Sequence, residues 1–332
     1  MTDQFLAHTG ARVPLICGAM YPCSNAELVG AVVAAGAVGI VQPLSIVFAH
    51  RQDLRTSLRT ILAQNNGGAV GFNAIVEKSS KLYEDRMRAW IDVALEEGVR
   101  FFVTALGNPR WVVDRVHAVG GVVYHDVTER KWAERALEGG VDGLICVNRR
   151  AGGHTGVRGI EELYEELAPL GVPLVAAGGI GSPEVFQRTL EMGYQAVQLG
   201  TRFIATVECT AHADYKAAIL EAVEEDIVLT MRISGVPVSV IRTAYVDRVG
   251  TTAGPVVRRL LQHARFKHWV RGWYAARSVW QLGRGATRGG GYNDYWQAGK
   301  SVASINAIKA AGQVVGEFEA ALSKTSSTLE PA

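Results

Sequence analysis

The feature that most limits what this 332-residue chain can fold into is a series of eight short apolar, β-branched segments, each followed by a turn and a stretch of helical spacing. They cover residues 15–18, 39–41, 70–74, 101–105, 122–124, 143–147, 174–177 and 196–199. Little in/out alternation runs through them, which predicts strands covered on both faces. The intervening segments, such as 80–98 and 128–139, have the length and period of helices. A strand regained through a helix runs parallel to the one before it. Eight such units predict an α/β fold of the TIM (β/α)8 type rather than an open doubly wound sheet, because closure removes both edges.

Such a barrel needs roughly 250 residues, which leaves room for an appendage. After about Asp226 the pattern changes to Trp- and Arg-rich sequence of helical spacing, 255–282, then a Gly-rich hinge, 283–291, and a last helix from about Gly299. The expected organisation is a barrel over 1–225, a C-terminal helical cap or substrate domain over 226–298, and 299–332 as a helix returning to the barrel with a flexible tail. In a barrel enzyme such a cap belongs over the carboxyl ends of the strands, where it excludes water.

Charge is uneven. The net +2 conceals a segment, 242–288, with ten Lys/Arg against the single acid Asp247. Nucleic acid, an anionic membrane surface or an acidic carrier protein could bind it. Trp269, Trp273 and Trp280 recur at helical spacings within it, so a packed cap or a homodimer interface is the preferred expectation, and no nucleic-acid motif accompanies the charge.

With 48% hydrophobic residues, 20% charged residues and 37 glycines, the chain has the make-up of a globular enzyme rich in tight turns. Cys17, Cys23, Cys146 and Cys209 show no C-x-x-C spacing, so neither a disulfide framework nor a metal site is expected, and a cytoplasmic location follows. The first residues lack the basic and apolar regions of a secretory signal. Residues 28–48 come nearest to a membrane span, but Gly30, Gly36, Gly39 and Gln42-Pro43 divide them into pieces that predict a buried helix and a buried strand.

Chemistry is expected in the loops after the later strands. Arg149-Arg150-Ala151-Gly152-Gly153-His154-Thr155-Gly156 follows the sixth, with glycines that allow close backbone approach and an imidazole suited to proton transfer. A tight βα turn with an incidental histidine is the competing account. Gly178-Gly179-Ile180-Gly181 after the seventh strand, and Gln198-Leu199-Gly200-Thr201-Arg202 at the end of the eighth, stand where barrels commonly bind phosphate.

These motifs, together with Pro14-Leu15-Ile16, Ala19-Met20, Gly71-Phe72-Asn73, Gly107-Asn108-Pro109 and Trp296-Gln297-Ala298-Gly299, closely resemble those of the nitronate monooxygenase (2-nitropropane dioxygenase) family over nearly the whole chain. The same motifs are shared by FMN-dependent type II enoyl-acyl-carrier-protein reductases and some NAD(P)H:quinone reductases. The resemblance implies an FMN-dependent oxidoreductase. Ala19, Met20 and Asn73 would contact the isoalloxazine or ribityl part of FMN, and Gly152, Gly178, Gly179, Gln198, Gly200 and Thr201 its ribityl and phosphate groups. His154 matches the active-site histidine, associated in the family with deprotonating a neutral nitroalkane before flavin and O2 complete the oxidation. An imidazole of ordinary pKa about 6.5 suits that step near neutral pH.

Three positions depart from the family pattern. Val147 stands where a polar flavin contact is common, Arg149-Arg150 reverse the local charge and favour an anionic substrate or a phosphate-bearing donor such as NADPH, and His125-Asp126 stand where relatives place Lys or an apolar residue. An anionic Asp126 beside the flavin N1–C2 edge would oppose the charge of reduced FMN unless a cation such as Arg150 paired with it. As a helix cap it would have no such role. His212 and Cys146 are lesser candidates, expected as a helix-start residue and a buried thiol. The leading expectation is oxidation of a nitronate or nitroalkane by O2. The alternative is NAD(P)H-dependent reduction of a quinone or enoyl thioester, and a flavin-binding sensor without catalysis is a third.

Overall fold

The computed structural model describes residues 3–77, 81–233, 236–252, 282–283, 286 and 295–327. Eight parallel strands close into a barrel: β1 (Leu15–Cys17), β2 (Val38–Val41), β3 (Ala69–Ile75), β4 (Phe101–Ala105), β5 (Val122–Val127), β6 (Gly143–Val147), β8 (Leu174–Ala177) and β9 (Ala196–Leu199). β9 closes the ring on β1, Gln198 opposite Ile16. All eight expected strands are present, most within a residue or two of their expected bounds. β5 is the largest exception, running three residues past Tyr124 through the polar pair His125-Asp126.

The apolar runs lack alternation because each strand is covered twice. Ile16, Ile40, Val103, Tyr124, Ile145 and Val175 belong to one buried cluster inside the barrel. Their neighbours, such as Cys17, Val41, Phe102, Val123, Leu144 and Cys146, belong to a second cluster beneath the helices. Among those helices are α2 (Ala26–Ala34), α3 (Leu54–Ala63), α4 (Lys81–Glu96), α5 (Arg110–His117), α6 (Arg130–Glu138), α7 (Ile160–Leu167) and α8 (Pro183–Glu191). α2 and β2 are the buried helix and strand expected over 28–48, and among the described residues no helix is long and apolar enough to cross a membrane.

Helix α1 (Asp3–Thr9) stops the amino end of the barrel. Phe5, fully buried, meets the rings of Phe101 and Tyr124 edge-on at 6.2 and 6.1 Å, and His8 Nδ1 lies 3.1 Å from the Tyr124 hydroxyl. Apolar rings fill that end among the described residues, and in barrels of this type the chemistry is built at the other.

Residues 226–252 open with strands. β10 (Ile227–Thr230) and β11 (Val238–Ile241) form an antiparallel pair, and β11 also pairs with β7 (Gly153–His154), before a short helix at Ala244–Val249. The basic run 258–277 with Trp269, Trp273 and Trp280, and most of the hinge 283–291, lie outside the described residues. The last helix, Ala311–Ser327, packs on α2 and α8, with Phe318 5.3 Å from Phe186.

Candidate active site at the carboxyl ends of the strands

Extending the inward parity of each strand toward its carboxyl end shows what lines the mouth. Ile16 gives Gly18, Ala69 gives Asn73, Tyr124 gives Asp126, Ile145 gives Val147 and Ala196 gives Gln198. A Cβ on Gly18 would meet Gln198 Cγ at 2.9 Å, so the Gln198 side chain crosses directly over that glycine. Asn73, Asp126 and Gln198, chosen from widely separated motifs, thus share one inward layer. Ala19 packs on the interior cluster beside them, and Met20 is fixed by its backbone N–H, which donates to Ser24 Oγ at 2.8 Å.

The loop carrying His154 is tied down from three directions. Asn148, fully buried, donates through Nδ2 to Gly178 O at 2.9 Å and accepts at Oδ1 from Arg150 N at 2.8 Å, which joins the loops after β6 and β8. At Gly152, an added Cβ would meet Gly299 N at 2.8 Å, and Gly299 N donates to Thr201 Oγ1 at 3.0 Å. Lys300 N donates to Arg150 O at 2.9 Å. The third tie is the register of β7 against β11, Gly153 opposite Ser239 and His154 opposite Val238.

Besides Gly152, two more of the glycines expected around the ribityl and phosphate have a structural reason to be glycine. Gly178 and Gly179 have φ of +116° and +78°, and a Cβ on Gly178 would meet Ala151 N at 2.6 Å and Asn148 Oδ1 at 2.7 Å. Gly200 differs: a Cβ there would meet nothing nearer than Met20 Sδ at 3.6 Å, which leaves room above the short helix α9 (Thr201–Ile204). Thr201 is buried.

Titratable groups divide by the face they occupy. Asp126 keeps part of its surface open to the mouth, but its Oδ1 is buried without a hydrogen-bond partner, and burial pushes its pKa up to about 7. Arg150 is not its counter-ion. The guanidinium forms a two-pronged ion pair with Glu224, with Nη1 to Oε2 at 3.0 Å. The N-cap residue of α6 is Glu129, so Asp126 is no cap either. His125 points the opposite way, into the helical layer, where its Nδ1 lies 2.8 Å from Thr104 Oγ1 and burial lowers its pKa to about 4. Cys146 is likewise outward-facing, its thiol pushed up by burial and then by Asp126.

His154 has an exposed side chain, yet surrounding protein desolvates it enough to lower its pKa. Its neutral form, able to accept a proton, is therefore favoured at neutral pH. His212 caps the helix Ala213–Glu221, its Nδ1 accepting from Asp214 N at 3.2 Å. Asn148 and Glu224 were not singled out in the sequence. A buried Asn directly after a barrel strand is a signal that could have drawn attention to the first. Among the described residues no group of three His, Cys, Asp or Glu is placed to hold a metal ion.

Comparison with known proteins gives consistent results. The nitronate monooxygenase family matches residues 4–315. A curated relative from Mycobacterium tuberculosis, (3aS,4S,5R,7aS)-5-hydroxy-7a-methyl-1-oxo-octahydro-1H-indene-4-carboxyl-CoA dehydrogenase, is 25% identical over 94% of this chain and 85% of its own. The nitronate monooxygenase of Pseudomonas aeruginosa is 28% identical over 71% of this chain and 78% of its own. Among solved structures, FabK from Thermotoga maritima superposes with a TM-score of 0.80 at 24% identity, covering 98% of this chain and 97% of that one.

Proposed function

Because the chain belongs to the nitronate monooxygenase family and is a flavin oxidoreductase of that type, we propose that it oxidises a nitronate or nitroalkane, anionic substrates included, with FMN and O2, and that His154 is its base. The observation that carries this reading is the imidazole of His154, shifted toward its neutral form by desolvation, in a loop tied to the mouth by Asn148.

The residues present fit FMN. The mouth offers hydrogen-bonding side chains from Asn73, Asp126 and Gln198, one of them with an orphaned buried oxygen. Ala19, Met20, Asn73, Asp126 and Gln198 would hold the ring system and ribityl chain, with Gly152, Gly178, Gly179, Gly200 and Thr201 around the ribityl and phosphate. Bound FMN supplies the two-electron redox centre, which no side chain of the chain can provide. His154 takes the acidic α-proton of a neutral nitroalkane, and its shift toward the neutral form suits it to that step near pH 7. A substrate that arrives as the nitronate needs only to be bound and oriented. We assign the barrel to 1–225, a cap or substrate domain to 226–298 and the returning segment to 299–332.

The deciding experiment is anaerobic mixing of the purified flavoprotein with a nitronate. Bleaching of the flavin absorbance is expected, and no bleaching with any of several nitronates overturns the proposal. A second reading is NAD(P)H-dependent reduction of a quinone or an enoyl thioester; the M. tuberculosis relative, named as a dehydrogenase of a carboxyl-CoA, supports the thioester substrate class. Rapid bleaching by NADH or NADPH without a nitronate selects it.

A further inference from the structure

The mouth presents a conflict. In an otherwise apolar part of the inward layer, β5 ends on a carboxyl whose Oδ1 is buried and has no partner. A buried carboxylate with neither a cation nor hydrogen-bond donors is among the costliest arrangements a protein interior can hold. We propose that Asp126 stands in the mouth as an uncharged carboxylic acid and donates a hydrogen bond to a carbonyl-type acceptor of the ring system bound there. The proposal rests on the FMN reading and adds to it a proton that the site itself holds.

Among the described residues, the surroundings of Asp126 support the uncharged form on each element packed against it. On β4, the inward residue at the same level is Ala105, and on β6 Ile145 and Val147 flank it, none of which titrates. His125 and Cys146 face the opposite layer, and at neutral pH both are uncharged, the first pushed down and the second pushed up by burial. Helices α5 and α6 cover that same opposite face with Val112, Val113, Val116, Ala133 and Ala136, while their charged residues point outward: Arg115 to Asp92, His117 to Asp142, Arg130 to Glu134, with Arg110 reaching Glu138 O. From the loop after β6, Arg150 is held by Glu224, Arg149 is exposed, and His154 is shifted toward its neutral form. Burial is accordingly the cause of the raised Asp126 pKa, with no neighbouring charge opposing it.

A carboxylic acid carries one O–H donor, which an acceptor on a bound ring would satisfy, and ionisation would replace that donor with repulsion between lone pairs. The test is the affinity of the apoprotein for FMN, read by flavin fluorescence from about pH 7 to 9, above the second ionisation of the phosphate near pH 6. Wild-type affinity is expected to fall by about 10- to 100-fold over that range, the scale of one hydrogen bond lost to a charged group. Asp126→Asn, uncharged at every pH and still a donor, is expected to bind with a flat profile. If that variant does not fold by circular dichroism, the smaller, uncharged Asp126→Ser replaces it. An infrared difference spectrum between pH 6 and pH 9 should contain a protonated-carboxyl band that the variant lacks. Equal, flat profiles for wild type and variant, or the absence of that band, overturn the proposal while leaving FMN in place. Failure of the folded wild type to bind FMN at any pH overturns the FMN reading, and this proposal with it.

Discussion

The two ends of this barrel are built from the same eight strands and differ in almost every other respect. At the amino end, α1 seals the interior with Phe5, and polar contacts there, His8 to Tyr124 and Phe5 N to Gln195 Oε1, are satisfied within the protein. At the carboxyl end the inward positions turn polar at Asn73, Asp126 and Gln198, and an oxygen is left without a partner. A closed apolar end is where sequence serves stability. An end that keeps unsatisfied polar groups serves a ligand, since such groups are tolerated only when something else satisfies them.

That contrast can be broken most directly at His154. Replacing it with Ala should lower turnover of a neutral nitroalkane by about 10²–10⁴-fold, with thermal stability nearly unchanged and nitronates much less affected. Steady-state kinetics on both substrates decide this, and equal losses would remove its role as base. Because its pKa is lowered, the rate on the neutral substrate should be half-maximal at a pH below the ordinary imidazole value of about 6.5 and decline in more acidic solution. Phe5→Ala is the opposite experiment. It should cost about 3–5 kcal/mol of stability in denaturant titrations, while FMN affinity of the folded fraction holds; a selective loss of affinity would show that the two ends are coupled.

Smaller effects sharpen the picture at the mouth. Gly178→Ala forces a Cβ into a left-handed backbone position against Ala151 and Asn148, and should cost about 1–3 kcal/mol in the same titration. Asp126 gives stability a pH slope with a definite sign. Its folded pKa of about 7 lies above the ordinary carboxyl value of 3.8, so the folded state holds the extra proton. The stabilising contribution is complete below about pH 4 and is lost as pH rises through 7. Denaturation of the apoprotein at pH 4 and pH 8 should therefore show a wild-type loss, relative to Asp126→Asn, on the order of 2 kcal/mol once partial exposure is allowed for. Glu224→Gln, which leaves Arg150 without its partner at the half-exposed rim, should cost no more than about 1 kcal/mol.

Much of this architecture was legible in the sequence, for a physical reason. A strand buried on both faces must be apolar at nearly every position, and that imprint needs no knowledge of its partners. The imprint fades where β5 enters the mouth, because His125 and Asp126 resemble the start of a loop. Only the structure reveals that one is satisfied by Thr104 and the other faces the cleft. The β7–β11–β10 sheet was not foreseen either. Ile227–Thr230 and Val238–Ile241 carry β-branched runs that could have been read as strands, but a two-residue strand at Gly153–His154 exists only through its distant partner. The pairing of Arg150 with Glu224 is of the same kind: a local charge reversal in the sequence is cancelled by a residue far along the chain. Motif residues on one inward layer were predictable individually; that Asn73, Asp126 and Gln198 share it follows from barrel closure.

The strand pairing of His154 with Val238, and the contact of Gly152 with Gly299, also fix when the site can come into being. During synthesis the barrel strands leave the ribosome in order, and β6 can pair with β5 long before residues 238–300 have been made. The loop with the proposed base must wait for them. Until those residues arrive, the imidazole of a nascent chain lacks the strand partner that fixes its place. Catalytic competence in this protein would then be acquired as one of the final events of folding, well after the bulk of the secondary structure is in place.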